Sequence, residues 1–138
     1  MSQSCKIIVI DDDEAIRDVI GMVLTKRGYR AELFPDGTRA LDHIRDNQPQ
    51  IIICDIELPD INGFKILEKV KALYPDTLFV MMTGYGDTYS VREALISGAD
   101  EYLSKPFTVS ELTLILERLT WRLENPLETS GINDEPAE

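Results

Sequence analysis

Apolar residues along this chain follow two rhythms in turn. Short apolar runs stand at Lys6 to Ile10, Arg30 to Phe34, Ile51 to Cys54, Leu78 to Met82 and the brief Glu101-Tyr102-Leu103. Such runs, rich in β-branched side chains and closed by turn chemistry, read as strands, and the wholly apolar ones as strands buried on both faces. Between them the spacing changes to that of a helix. Ile16, Val19, Ile20, Val23 and Leu24 mark a first helix stopped at Gly28, and Ala40, Leu41 and Ile44 a second that ends before Pro49. Phe64, Leu67, Val70 and Leu73 mark a third before Tyr74-Pro75. Val91, Ala94 and Leu95 give a weaker fourth ending at Gly98, and Leu112, Ile115, Leu116, Leu119 and Leu123 a fifth. Five βα units in a row predict an α/β fold with a doubly wound, five-stranded parallel sheet.

The 138 residues are one domain's worth, long enough to bury about two-thirds of the unfolded surface. No linker interrupts the pattern up to residue 123, whereas residues 124–138 hold two prolines, five acids and no Lys or Arg. That stretch has little to pack, so the expectation is a domain over 1–123 followed by an acidic, disordered tail or the start of a linker. A formal charge of −11 argues against direct nucleic acid binding, since phosphate backbones are held by Lys and Arg. No apolar run approaches the ~18 residues of a membrane span, and the polar Met1-Ser2-Gln3-Ser4 precedes no signal-peptide core, so a cytoplasmic protein is expected. Cys5 and Cys54 fall at opposite ends of their strands, about 13 Å apart if the strands are parallel, and read as free thiols.

The chemistry gathers at strand ends. Strand one runs into Asp11-Asp12-Asp13 and strand three into Asp55, and open α/β sheets bind ligands beyond the carboxyl ends of their strands. If strands one and three are neighbours, as in the common order 2-1-3-4-5, then Asp11, Asp12 and Asp55 crowd one pocket. Carboxylates so close repel, and a Mg²⁺ ion, which takes hard oxygen ligands, would offset them. The competing reading has Asp11 to Glu14 merely capping the first helix and complementing its dipole. Thr83 closes strand four with a hydroxyl, and Lys105 follows strand five with an ammonium. Singly they read as a turn residue and a solvated charge. Together with the acids they suit a phosphoryl group, with Asp55 as nucleophile, Lys105 neutralising the equatorial oxygens and an aspartyl phosphate as product.

Four motifs then carry a resemblance: Ile8-Val9-Ile10-Asp11-Asp12-Asp13, Asp55-Ile56-Glu57-Leu58-Pro59 with Gly63, Met82-Thr83-Gly84, and Tyr102-Leu103-Ser104-Lys105-Pro106-Phe107. Through them, residues 5 to about 123 resemble the receiver domain of two-component response regulators. The resemblance implies a flavodoxin-like (βα)5 fold with sheet order 2-1-3-4-5, an order taken from the family, for which it is a standing illustration. It implies Asp55 as phosphoacceptor, with Asp12 binding Mg²⁺ directly, Asp11 through a water, and Asp55 and the Glu57 backbone carbonyl completing the ligands. Thr83 and Lys105 would bind phosphoryl oxygens, and the Lys105-Pro106 bond would be cis. Tyr102 matches the switch aromatic, while Glu57 and Tyr85 would overhang the pocket and tune hydrolysis.

The implied partners are a histidine kinase or phosphotransfer protein, and a downstream protein or output domain reached through helix four, strand five and helix five; a phosphorylation-dependent dimer is also allowed. The implied role is a regulatory switch with self-catalysed phosphorylation and dephosphorylation, not a turnover enzyme. A stand-alone receiver and a piece of a longer regulator both stay open. So does a pseudo-receiver that binds partners without phosphorylation, although Asp12, Asp55, Thr83 and Lys105 are all present. An aspartyl phosphohydrolase is disfavoured by Glu57 two residues after Asp55 and by the lack of room for a cap, and flavin binding by acids that would repel the cofactor phosphate. His43, on the outer side of the second helix, reads as a surface residue, and Trp121 as packing or interface.

Overall fold

The computed structural model describes residues 5–84, 93 and 96–126. Five strands, β1 (Lys6–Ile10), β2 (Arg30–Phe34), β3 (Ile51–Asp55), β4 (Leu78–Thr83) and β5 (Glu101–Ser104), form one parallel sheet in the order β2-β1-β3-β4-β5. The helices are α1 (Glu14–Lys26), α2 (Gly37–Asp46), α3 (Gly63–Leu73) and a last helix, Val109–Glu124. The doubly wound α/β fold expected from the apolar rhythm is therefore present. Three strands run one residue further than their apolar cores, so that Asp55, Thr83 and Ser104 belong to the ladder itself.

Alternate residues of each strand face opposite sides of a sheet, and here each side has its own core. Ile7, Val9, Ile51, Ile53, Val80 and Met82 pack with Ile20 and Leu24 of α1 and with Leu112, Ile115, Leu116 and Leu119 of the last helix. Ile8, Ile10, Ile52, Cys54, Phe79 and Met81 pack on the other side with Ala40 and Ile44 of α2 and Ile66, Leu67 and Val70 of α3. Burial on both faces is the reason these strands are apolar throughout, each fully buried aliphatic side chain contributing about 1.5–3 kcal/mol.

Helix ends are fixed by side chains. Asp13 accepts from the amides of Ala15 and Ile16 at the start of α1, and Thr108 and Glu111 form a reciprocal capping box on the last helix. That helix ends one residue beyond the expected Leu123, and the expected tail falls, from residue 127 on, outside the described residues. Of the predicted fourth helix, Val91, Ala94 and Leu95 also lie outside them; Glu93 and Ile96 are helical, and Gly98 follows with φ +103°. His43 departs from its expected outward position. Its ring lies 5.4 Å from that of Phe34 and its Nε2 2.9 Å from Glu32 Oε1, because this flank of α2 leans over the edge strand β2. Cys5 and Cys54 are buried and unbonded to each other. Among the described residues, no helix is long and apolar enough to cross a membrane.

Candidate functional site

Each side chain at the carboxyl edge of the sheet is placed by the ladder behind it. The register sets Ile10 against Cys54, Asp55 against Met82 and Thr83 against Ser104, which brings the residues following β1 and β5 to the ends of β3 and β4. Asp11 is wholly buried and held by its own backbone: its amide donates to Phe34 O (3.1 Å), and its carbonyl accepts from the Arg17 guanidinium (2.8 Å). Its carboxylate Oδ1 accepts the Asp13 amide at 2.9 Å. Asp12 is exposed, and Asp55 is buried. One carboxylate oxygen from each of Asp11, Asp12 and Asp55 lies within 4.8 Å of the others.

Lys105 stands among these acids. Its Nζ is 2.7 Å from Asp11 Oδ2 and donates to Asp55 Oδ2 at 3.0 Å, while its backbone amide donates to Thr83 O at 2.8 Å. Burial raises the Asp55 carboxyl, Lys105 opposes that rise, and Asp11 adds to it; the net direction is upward, towards the protonated form. Burial alone would lower Lys105, but its contacts with Asp11 and Asp55 outweigh it and hold the ammonium firmly charged. The Lys105-Pro106 peptide is cis.

Thr83 is buried at the end of β4, and its hydroxyl donates to the Tyr102 hydroxyl at 2.9 Å. The half-buried Tyr102 ring packs against the core on the α2/α3 side. Glu57 presents an exposed side chain, and its backbone amide bonds the Asp55 carboxylate. Tyr85 lies outside the described residues. Gly63, at the head of α3, is needed for space: a Cβ there would lie 2.4 Å from Asp55 O and 2.8 Å from Ile56 Cα. Its amide donates to Ile56 O at 2.7 Å, pressing α3 against the strand that carries Asp55.

The donor set suits Mg²⁺. It is all oxygen, and one member, Asp12, is open to solvent, while the buried Asp11 and Asp55 share a single ammonium. With one ammonium against three carboxylates, the ionised cluster has room for two more positive charges. Geometrically it could receive an anionic group between the Lys105 ammonium and a metal, next to a carboxylate nucleophile.

One long-range tie in the loop that follows Asp55 was invisible in the sequence. Asp60, in the loop after β3, sends its carboxylate to the start of α2, accepting from the amides of Gly37 (3.0 Å) and Thr38 (2.8 Å) and from the Thr38 hydroxyl. In the sequence it reads as ordinary turn chemistry after Pro59, and no local spacing links it to residues 22 and 23 positions earlier.

Residues 7–117 match the response regulator receiver domain family. The response regulator MprA of Mycobacterium sp. (strain KMS) is 36% identical over 118 residues, covering 85% of this chain and 51% of that protein. The DNA-binding response regulator MtrA of Mycobacterium tuberculosis (strain CDC 1551 / Oshkosh) is 35% identical over 130 residues, covering 94% and 57% respectively. The chain thus spans about half the length of these curated relatives. Among solved structures, a CheY-like receiver domain protein from Methanospirillum hungatei JF-1 superposes with a TM-score of 0.79 at 32% identity, covering 88% of this chain and 98% of that one.

Proposed function

The chain belongs to the response regulator receiver domain family, and from that premise we propose that it is a phosphorylation-dependent switch whose acceptor is Asp55. Receiver domains of this family work between kinases and outputs in two-component signalling. The donor proposed here is the phosphohistidine of a histidine kinase or phosphotransfer protein. The unit carrying the switch is residues 1–123, with the acidic segment 124–138 outside it.

In the proposed transfer, an Asp55 carboxylate oxygen attacks the phosphorus as the P–N bond to the donor histidine breaks, and the departing imidazole nitrogen keeps the electron pair and takes a proton. Mg²⁺ held by Asp11, Asp12, Asp55 and the Glu57 carbonyl would supply neutralisation of the phosphoryl oxygens. Lys105 bonds one Asp55 oxygen already, so a short movement carries its ammonium to a phosphoryl oxygen. Thr83 can donate its hydroxyl to another, giving up Tyr102. Arrangements of Thr83 and Tyr102 that suit the phosphoryl group then gain population, and the change is read on β5 and the last helix, together with the helical segment before β5. Glu57 and Tyr85 are the residues assigned to tuning hydrolysis. In this reading the chain is a regulatory domain that catalyses its own phosphorylation and dephosphorylation.

The observation that supports this most directly is the Lys105 ammonium lying between Asp11 Oδ2 and Asp55 Oδ2 at the carboxyl edge of the sheet. The test is incubation with acetyl phosphate and Mg²⁺ followed by intact mass spectrometry. One phosphate adduct is expected on the wild type and none on Asp55→Ala. No adduct on the wild type, or the same adduct on the variant, refutes the assignment.

A further inference from the structure

The segment that brings Glu57 to the site is tied down at both ends, and the second tie lies on a different helix. At the near end, the Ile56 amide donates to Met82 O (3.1 Å) and Ile56 O accepts the Gly63 amide (2.7 Å). At the far end, Asp60 is bonded to Gly37 and Thr38 at the first turn of α2. The contact there is close: a Cβ on Gly37 would lie 2.1 Å from Ile61 Cγ2 and 2.8 Å from Ile66 Cδ1. Its φ is not positive, so the glycine serves packing of the loop and α3 on α2 and not backbone conformation. Slight burial would raise the Asp60 carboxyl, but the Thr38 hydroxyl and the two amides override it and hold the group down at about 2, so the carboxylate is ionised throughout the ordinary pH range.

We propose that Asp60 is a positioning residue for the metal site: with Gly37 and Thr38 it forms a clamp from α2 that holds the Glu57 main chain against Asp55. Two residues, Leu58 and Pro59, separate Glu57 from Asp60, and the three steps span at most about 10 Å of chain, so slack at Asp60 is passed to Glu57. Glu57 has two backbone duties in the proposed site, its amide on the Asp55 carboxylate and its carbonyl on the ion, and both need the loop in place. The inference rests on the magnesium assignment made above. It adds a part of the molecule, the start of α2, that contributes no ligand itself.

The test uses a second carboxylate at the same helix end. Asp36 accepts the Arg39 amide at 2.9 Å and caps α2 from the helix's own segment of the chain. Asp60→Ala and Asp36→Ala therefore remove the same charge and a comparable cap from one helix. Titration of Mg²⁺ into the unphosphorylated proteins by calorimetry should give about tenfold weaker binding for Asp60→Ala, the loss usual for an outer-shell partner of a metal site. Asp36→Ala should stay within about twofold of the wild type, a change expected of distant charge alone. Thr38→Val, which keeps the backbone amide, should fall between them and covers the case in which Asp60→Ala does not fold. Equal Mg²⁺ affinities in Asp60→Ala and Asp36→Ala, or an unchanged affinity in Thr38→Val where Asp60→Ala is unfolded, overturn the clamp. Because this readout needs no phosphoryl transfer, a wild type that binds Mg²⁺ but takes no phosphate would overturn the switch and leave the clamp standing; a wild type that binds no Mg²⁺ overturns both.

Discussion

Lys105→Met separates the structural from the chemical role of the site. The substitution leaves the carboxylates of Asp11 and Asp55, 0% and 7% exposed as residues, facing each other without the ammonium that now lies 2.7 Å from one and 3.0 Å from the other. Removing one partner of a buried ion pair typically costs about 3–5 kcal/mol. The lower end applies here, because exposed Asp12 marks a side open to water; about 3 kcal/mol is a large share of the roughly 5–15 kcal/mol that holds a domain together.

The pH dependence has a definite sign. A carboxyl whose pKa is raised in the folded state contributes stability below its ordinary value, and that contribution is lost as pH rises through the raised value. Asp55 is such a group, raised first by burial and then by Asp11, with Lys105 opposing. Taking Lys105 away removes the opposing influence, so the loss should deepen from about pH 5 to about pH 8 relative to the wild type. Saturating Mg²⁺, at about one hundred times its dissociation constant, should restore about 2.7 kcal/mol by mass action, more than it gives a wild type in which the ammonium competes for the same oxygens. Urea denaturation followed by circular dichroism at both pH values, with and without Mg²⁺, measures all four quantities. A deficit under about 1 kcal/mol, the size of an exposed ion pair, that responds to neither pH nor Mg²⁺ would refute the reasoning.

Gly63→Ala forces a methyl group to within 2.4 Å of Asp55 O, a backbone atom with little freedom to retreat; denaturation should show a loss of about 1–3 kcal/mol, and acetyl phosphate labelling of Asp55 should fall with it. Tyr102→Phe removes the acceptor of the Thr83 hydroxyl, and a double-mutant cycle with Thr83→Val should return a coupling of about 1 kcal/mol, whereas a coupling near zero would mean that the two hydroxyls do not interact. Burial, with Asp55 and Asp11 adding, raises the Cys54 thiol well above its ordinary value, while burial and Glu124 bring Cys5 to about 11. Both should therefore resist a thiol reagent in the native protein at pH near 8 and react as the chain unfolds; labelling at the rate of a free thiol would contradict the burial.

What could be read in the residues was whatever repeats locally. Strand and helix periods are properties of neighbours within a few positions, so all five strands and the strongly patterned helices were legible. Their ends were less so: Asp55, Thr83 and Ser104 continue the ladder because a partner strand is present, which the hydropathy of one strand cannot show. The sheet order came from the family resemblance, since several doubly wound orders satisfy the same rhythm. Asp60 escaped for a related reason, because its partners are 22 and 23 residues away and meet it only after α2 and α3 have packed together. His43 looked outward because helical spacing alone does not say how far α2 leans over β2.

The Thr83–Tyr102 contact also bounds how the proposed switch can work. A threonine hydroxyl has one proton to give, so turning it from Tyr102 to a phosphoryl oxygen exchanges a neutral acceptor for a charged one. A neutral hydrogen bond is worth about 1 kcal/mol net and one to a charged acceptor about 1.5–3, so the exchange favours the phosphorylated arrangement by roughly 0.5–2 kcal/mol. That is a population change of about two- to thirtyfold. Moving an equilibrium from about 1:99 to 99:1 takes about 5.5 kcal/mol. Thr83 alone therefore falls short of a full switch, and the remainder must come from groups that feel the added charge more strongly. Lys105 is the evident one, already charged, 15% exposed as a side chain, and released from one of its two carboxylate contacts once the Asp55 carboxylate becomes an acyl phosphate. In the proposed switch the hydroxyl would set the direction in which Tyr102 moves, and the ammonium and a bound metal would supply most of the drive.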